Sequence, residues 1–180
     1  MSRRNERCIL SQCAPTLSGV KIGSLVKAVK GVCNAAIDLL TSLSHMDVGT
    51  KILRSSETVD LYLVYRISGL TEQLQDPEIS VFLDEMGYPK ERDLNSTLDF
   101  LSERMSADIQ HEIGVFLGYP LCDVKGFIEN EGKHYKALGI WKVYGDVENS
   151  LRLFNEIKRA RAESLKQFDA GHSLMSIVAA

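Results

Sequence analysis

Two β-rich runs that lie close together in the chain place the strongest limit on its fold. Lys51–Ser55 and Asp60–Arg66 are rich in Ile, Leu, Val and Tyr, and the short segment Ser56–Val59 separates them. Two such runs joined by a few residues are typical of an antiparallel β-hairpin. A hairpin excludes a sheet made only of parallel strands, so we expect a fold that contains antiparallel pairing.

Three further segments are predicted to be strands. Arg7–Cys13 is a short run near the start, Ile113–Tyr119 is apolar enough to be buried on both faces, and His134–Gly145 is longer and aromatic. Together with the hairpin they predict one mixed sheet of about five strands. The predicted fold class is therefore α/β in the mixed α+β sense, with helices flanking that sheet.

Helices are predicted where apolar residues recur at three- or four-residue steps. Leu94–Met105 has the clearest such stripe, and Asp146 is placed to cap a long helix that Gly171 ends. Pro77 should interrupt the helical pattern of Ser68–Glu85. Further helices are expected at Lys21–Leu43, Pro120–Asn130 and His172–Ala180.

The length and charge of the chain limit the classes of protein it can belong to. Its 180 residues suit a single domain over residues 1–180. A net charge of −3 argues against a nucleic-acid partner, because phosphate binding needs basic surface. No run is apolar enough for a signal peptide or a membrane span, so we expect a cytoplasmic protein without a membrane partner. The four cysteines, Cys8, Cys13, Cys33 and Cys122, are expected to be free thiols.

The motifs of several enzyme classes are absent from this sequence. It has no P-loop, no G-x-G-x-x-G motif and no G-x-S-x-G nucleophile elbow. His111-Glu112 begins like a zincin motif, but Val115 occupies the place of the second histidine. No metal site is predicted, and the candidate sites come from three local segments instead.

The first candidate segment runs from Cys13 to Lys21 and is predicted to join a strand to a helix, where open α/β sheets commonly bind ligands. Thr16 and Ser18 could donate hydroxyls to a ligand, and Lys21 could neutralise an anion at the helix N-terminus. Cys13 could be a nucleophile, because a helix N-terminus stabilises a thiolate. The alternative is a capped turn with a solvated lysine and an ordinary buried cysteine.

The second candidate segment begins with His111 and Glu112 and ends in a Gly-Tyr-Pro turn. His111 could carry a proton or bind a ligand, with Glu112 as its orienting carboxylate or as a separate base. Tyr119, in the turn, could contact the same ligand. The alternative is structural, with Glu112 paired to a lysine or capping a helix.

The third candidate segment is the predicted strand that ends at Gly145. Alternation along a strand places Lys142 and Tyr144 on one face, where both could meet a ligand. Packing and protection of a strand edge are the alternative. A basic cluster further along the chain is interpreted as a solvated helix face, and it consists of Arg152, Lys158, Arg159, Arg161 and Lys166.

Three blocks of sequence carry a family resemblance that covers nearly the whole chain. They are APTLSGVKIGSL, HEIGVFLGYPLCDVKGFIENEGKHYKALGIWKVYGD, and the closing helix with its tail Gly171–Leu174. They resemble a bacterial family, common in anaerobic Firmicutes, that is known only as a domain of unknown function. Many of its members have histidine where this chain has Gln12. If that histidine is a ligand or a base, this chain has lost it.

The resemblance also implies a role near iron, haem or flavin metabolism, because members lie in gene neighbourhoods with flavodoxins and ferrous-iron transport. The leading hypothesis is a ligand- or cofactor-binding accessory protein whose cofactor is unknown. Its pocket would contain Thr16, Lys21, His111, Glu112, Lys142 and Tyr144. The alternatives are a small enzyme that uses Cys13, or His111 with Glu112, and a protein-interaction module that uses the basic helix and the apolar tail. The oligomeric state stays open.

Overall fold

The computed structural model describes residues 3–106 and 108–178. The first part of the chain contains α1 (Arg3–Leu17), β1 (Gly23–Val29), α2 (Asn34–Ser42), a 3₁₀ turn (Leu43–Met46), β2 (Val48–Ser55) and β3 (Val59–Arg66). The middle contains α3 (Ile67–Leu74), α4 (Pro77–Glu85), α5 (Leu94–Met105), α6 (Ile113–Phe116) and α7 (Leu121–Glu129). The last part contains β4 (Ala137–Leu138), β5 (Lys142–Val143), α8 (Val147–Asp169) and α9 (Leu174–Val178).

The main sheet has three strands in the order β1-β3-β2, and every neighbouring pair is antiparallel. The predicted hairpin is therefore confirmed, with a bulge between Ile52 and Arg54. The mixed α+β class is also confirmed. The single mixed sheet of about five strands is wrong, because β4 and β5 form a separate two-stranded sheet.

The first predicted strand, Arg7–Cys13, is wrong because it lies inside α1. The buried residues of α1 include Ile9, Cys13 and Leu17, whose four-residue spacing places them on one helical face. The helix predicted for Lys21–Leu43 is wrong in its first half, where the structure has a strand. This strand is β1, in which burial alternates from Val26 onwards as in a strand with one covered face.

Two other predicted strands are also wrong. Ile113–Tyr119 contains the single helical turn α6, and a run buried on all sides is compatible with either a strand or a buried helix. His134–Gly145 is divided by a turn at Gly139 into β4 and β5, which pair with each other. The error at His134–Gly145 matters most for function, because the turn at Gly139 brings β5 back against α7.

The predicted helices agree with the structure in the central and C-terminal parts of the chain. The stripe Leu94–Met105 is α5, and Pro77 begins α4 after the cap residue Asp76. Asp146 caps α8, and its side chain accepts a hydrogen bond from the backbone N–H of Asn149. The tail helix is α9; the last two residues of its predicted range lie outside the described residues.

The three-stranded sheet separates two hydrophobic cores. Successive residues of β3 point to opposite faces, so Leu63 packs with α3–α7 and Val64 packs with α1, α2 and the C-terminal helices. A third, smaller core attaches the β4–β5 hairpin to α8 and consists of Trp141, Val143, Phe154 and Ile157. The candidate site lies beside this third core.

Two further predictions concern the cysteines and membrane-spanning helices. All four cysteines are free thiols in the structure, as predicted. Among the residues that the structure describes, no helix combines the length and the apolar character needed to cross a membrane.

Candidate functional site

A cavity of about 350 Å³ lies between α6, α7 and the β4–β5 hairpin. Its walls are mostly apolar, with Ile113 and Val124 contributed by the helices and Ile140 by the hairpin turn. Its aromatic and polar lining residues are His111, Tyr119, Asp123, Phe127, Trp141 and Lys142. Three of these are predicted site residues: His111 and Tyr119 come from the second candidate segment, and Lys142 comes from the third.

Asp123 fixes the hairpin against α7. Its buried carboxylate accepts hydrogen bonds from Trp141 Nε1 (2.7 Å), from the backbone N–H of Tyr144 (2.7 Å) and from that of Gly145 (2.8 Å). Asp123 also lies in the first turn of α7, where the helix dipole favours a negative charge. These contacts hold the indole of Trp141 in one orientation at the cavity wall.

An aromatic cluster surrounds this indole. The rings of Tyr119 and Trp141 stack at a centroid distance of 4.5 Å, and Phe154 meets Trp141 edge-on at 4.4 Å. One turn further along α7, Gly126 allows the ring of Tyr144 to pack directly on the helix, since a Cβ there would lie 2.5 Å from that ring. The hairpin is therefore packed closely against α7, through Tyr144, and against α8, through the contact of Trp141 with Phe154.

His111 and Lys142 lie around the ring of Phe127 at the cavity. The His111 ring centroid is 4.8 Å from that of Phe127, and Lys142 Nζ is 5.5 Å from the same ring. Lys142 Nζ also donates a hydrogen bond to the carbonyl of Gly132 (2.7 Å), which leaves two of its N–H groups for other acceptors. The cavity thus combines an apolar body with an imidazole and an ammonium group.

A smaller cavity of about 210 Å³ adjoins the first one, and both are lined by Tyr119 and Ile140. Lys21 and Arg161 also line the smaller cavity, and Lys21 Nζ lies 5.1 Å from the centre of the Tyr119 ring. Burial, and to a smaller extent the positive charge of Arg161, lowers the pKa of Lys21 to about 8.

A family model described as "Protein of unknown function (DUF3793)" matches residues 9–178. The chain belongs to the DUF3793 family. No curated protein and no solved structure matches it. The expected membership of a family of unknown function is therefore confirmed.

In this DUF3793 chain Glu112 does not line the cavity beside His111. Its carboxylate is buried and accepts a hydrogen bond from Arg104 Nε at 2.5 Å. The structural alternative of an ion pair fits this arrangement, although the partner is an arginine and not a lysine. Burial and the charge of Glu112 raise the pKa of the neighbouring Tyr88 hydroxyl.

Cys13 lies within α1, close to its C-terminal end, so its expected place ahead of a helix N-terminus is wrong. The side chain is fully buried, and its Sγ donates a hydrogen bond to the carbonyl of Ile9. Burial raises the pKa of the thiol to about 12. The environment therefore favours the neutral thiol and offers no support for a nucleophile at this position.

Thr16 and Ser18 lie at and just after the C-terminal end of α1, and the helix N-terminus expected beside them is replaced by β1. The hydroxyl of Thr16 is hydrogen-bonded to that of Ser24 (2.7 Å), and Ser18 Oγ donates to the carbonyl of Pro15. Both hydroxyls therefore satisfy backbone or side-chain groups of the protein. Of the first predicted segment, Lys21 alone among its ligand-binding candidates lines one of the two cavities described above.

Gln12 has a structural role that its position in the sequence does not reveal. Its Oε1 accepts a hydrogen bond from the backbone N–H of Lys27 (2.8 Å), and its Nε2 donates to the carbonyl of the same residue (3.2 Å). The primary amide thereby pairs with the outer edge of β1 as a neighbouring strand would. Glutamine suits this contact because it offers both a donor and an acceptor at one end of its side chain.

Tyr144 packs over Gly126 and is not among the residues that line the main cavity. The expected shared ligand face of Lys142 and Tyr144 is therefore not formed, because the strand that would place them together is only two residues long.

Two residues that line the cavities, Asp123 and Arg161, are not among the predicted site residues. An acidic residue in the first turn of an apolar helix is the one local signal that points to Asp123. Within 3–106 and 108–178, no three His, Cys, Asp or Glu side chains are grouped to hold a metal ion.

Proposed function

We propose that this DUF3793 protein binds a small organic molecule whose ring system lies in the cavity beside Trp141. The observation that supports this proposal is an apolar cavity of about 350 Å³ with an imidazole and an ammonium group in its wall. Small-molecule sites are typically apolar cavities of about 300–1,000 Å³ with a few polar groups that orient the ligand. The volume lies at the small end of this range and favours one or two fused rings over a tetrapyrrole.

Each group around the cavity has a definite part in such binding. Trp141 and Phe127 supply flat apolar surface, and one aromatic contact contributes about 0.5–1.5 kcal/mol beyond the burial of its area. His111 can donate or accept a hydrogen bond, while Lys142 can donate to an acceptor at the edge of the ring. Asp123 does not touch the ligand but holds Trp141 in place.

The role near iron, haem or flavin that the family resemblance implies is narrowed by this proposal to an organic cofactor or a related metabolite. A bare ferrous ion needs several oxygen, nitrogen or sulfur ligands grouped together. The described residues offer no group of three such side chains. A planar ring with polar atoms at its edge matches the donors and the apolar walls of this cavity.

Intrinsic fluorescence tests the proposal, because Trp141 is the only tryptophan in the chain. Titration with N-phenyl-1-naphthylamine, a neutral fluorescent ring compound, should quench Trp141 and produce saturable energy transfer to the probe. No saturable transfer at probe concentrations up to about 1 mM, the level of very weak binding, would contradict the proposal.

Two exposed leucines provide a matched pair of variants for this titration. Leu138 is 62% exposed and lines the cavity, whereas Leu151 is 45% exposed and lies on α8 away from it. Leu138→Asp places a charge at the cavity and should weaken probe binding about fivefold or more. Leu151→Asp should leave the affinity unchanged; equal losses in the two variants would indicate a nonspecific apolar surface.

A further inference from the structure

The small cavity next to the main one brings together two cations from distant parts of the chain. Lys21 lies in the loop between α1 and β1, and Arg161 lies in the middle of α8. Within residues 3–106 and 108–178, neither side chain forms an ion pair with a carboxylate. Two like charges that face one cavity repel each other, and a bound anion would relieve this repulsion.

The partly buried arginines of this protein are neutralised. Arg66 is paired with Asp47, Arg92 with Asp84, and Arg104 with Glu112. The protein therefore usually places a carboxylate beside an arginine that leaves bulk solvent. In the small cavity, Lys21 is partly buried and has no carboxylate partner, whereas Arg161 is exposed.

Two polar side chains of the small cavity are already hydrogen-bonded within the protein. The amide of Gln12 is bonded to the backbone of Lys27, and the hydroxyl of Ser24 is bonded to Thr16. The charged groups available to a bound molecule are the ammonium of Lys21 and the guanidinium of Arg161. Arginine binds carboxylate and phosphate groups through two parallel hydrogen bonds, and lysine adds a point charge.

The position of the small cavity connects it to the proposed ring site. Tyr119 lines both cavities, stacks on Trp141 and lies 5.1 Å from Lys21 Nζ. An anion held by Lys21 and Arg161 would thus lie next to the end of the ring cavity. A single small molecule can fill both spaces only if it carries its negative charge close to its ring.

We propose that Lys21 and Arg161 bind a carboxylate or phosphate group belonging to the molecule whose ring lies beside Trp141. The joining of both groups in one molecule rests on the proposed function, whereas the anion site itself does not. The ligand class is thereby an aromatic or fused-ring acid or phosphate ester. A neutral ring compound of the same size is a weaker ligand.

Calorimetric titration with three related probes tests this inference. Methyl 1-naphthoate is neutral, 1-naphthoate carries a carboxylate on the same ring, and 1-naphthyl phosphate carries a phosphate. The two anions should bind about tenfold more tightly than the ester, a difference of about 1.4 kcal/mol. The tighter of the two anions identifies the preferred group. Equal affinities of all three probes would overturn the anion site.

Variants separate the anion site from the ring site. Lys21→Met and Arg161→Met should each remove the preference for the anionic probes. Binding of the neutral ester should stay unchanged, and this unchanged binding also shows that each variant is folded. Lys21→Arg should keep the preference. Lys166→Met removes an exposed cation of α8 and serves as the control. An equal loss of preference in Lys166→Met would mean that the effect is only one of net charge.

Inorganic phosphate distinguishes failure of the two proposals. If phosphate binds to the wild type and not to Lys21→Met, the anion site is supported even when the neutral ester fails to bind and the ring site is lost. In the opposite case the ester binds, but phosphate and both naphthyl anions bind the wild type no more tightly than Lys21→Met. The ring site then stands and the anion site is overturned.

Discussion

Asp123 is the side chain on which the geometry of the candidate site most depends. One carboxylate accepts three hydrogen bonds from the hairpin, and it is only 2% exposed. A buried carboxylate with this many donors cannot be replaced by an amide, because the NH₂ group of asparagine would face one of the donors.

Asp123→Asn should lower the free energy of unfolding by about 1–3 kcal/mol and weaken ring-probe binding, because a buried donor loses its acceptor. Urea unfolding measures the first effect, and the fluorescence of Trp141 reports the second. Asp169→Asn removes a half-exposed partner of Arg7 and should change the stability little, because solvent screens a surface ion pair. A cost for Asp123→Asn no larger than that of this control would contradict the role assigned to Asp123.

Lys21 gives the anion site a pH dependence. Its pKa is lowered to about 8 by burial and by Arg161, and the other group that faces it is the Tyr119 ring. Since an anion needs the protonated amine, affinity for sulfate should fall about tenfold between pH 7 and pH 9. Sulfate keeps its charge in this interval, so calorimetry at the two pH values isolates Lys21. A flat profile in the wild type, or an equal fall in Lys21→Met, would contradict this assignment.

The same shift affects stability with a definite sign. In the unfolded chain Lys21 keeps its proton up to about pH 10.4, whereas in the folded protein it loses the proton near pH 8. The unfolded state therefore binds more protons between these values, and the contribution of Lys21 to the free energy of unfolding rises with pH across that window. Below pH 8 the charged form disfavours the fold, and a bound anion relieves this cost.

At the scale of elements, the β4–β5 hairpin positions the site, and close packing against α7 fixes the hairpin. Two helical glycines show how packing and intrinsic propensity compete. A Cβ at Gly69 in α3 would meet its nearest neighbours at 3.7 and 3.8 Å, which is ordinary contact. A Cβ at Gly126 in α7 would lie 2.5 Å from the ring of Tyr144.

Gly69→Ala should raise the free energy of unfolding by about 0.5–1 kcal/mol, because alanine is the better helix former. Gly126→Ala should lower it by about 1–3 kcal/mol despite the same gain in propensity, since the Tyr144 ring must move. Denaturation followed by circular dichroism measures both variants. Stabilisation by Gly126→Ala would mean that the hairpin is not packed on α7 as described.

The elements that could be predicted from the sequence carry a clear local signal. Leu94–Met105 has an apolar stripe at helical spacing and is confirmed as α5. The β2–β3 hairpin is predicted from two β-rich runs with a short connection, although β3 is covered on both faces. Ile113–Tyr119 is buried almost throughout and has no such periodicity, so its helical turn could not be distinguished from a strand. In Arg7–Cys13 the helical spacing is present, but the segment is too short for it to outweigh a strand-like composition.

At the scale of the whole molecule, the candidate site is formed by segments that meet only after folding. His111 and Lys142 could be proposed from their local chemistry, and the turn at Gly139 is what brings them to one cavity. Arg161 could not be separated from the other basic residues of α8, because its difference lies in facing Lys21, 140 positions earlier in the chain. The sequence therefore indicated candidate chemistry for each segment but not which segments meet.

The central claim is that a ring compound binds beside Trp141, and the indole N–H signal of this single tryptophan tests it most directly. In a ¹⁵N-labelled sample, titration with methyl 1-naphthoate should shift that signal saturably, because the aromatic ring of the probe lies against the indole that Asp123 holds. The Leu138→Asp variant should need a higher probe concentration for the same shift. An indole signal that stays in place while the probe binds, or no binding at about 1 mM, would contradict the account.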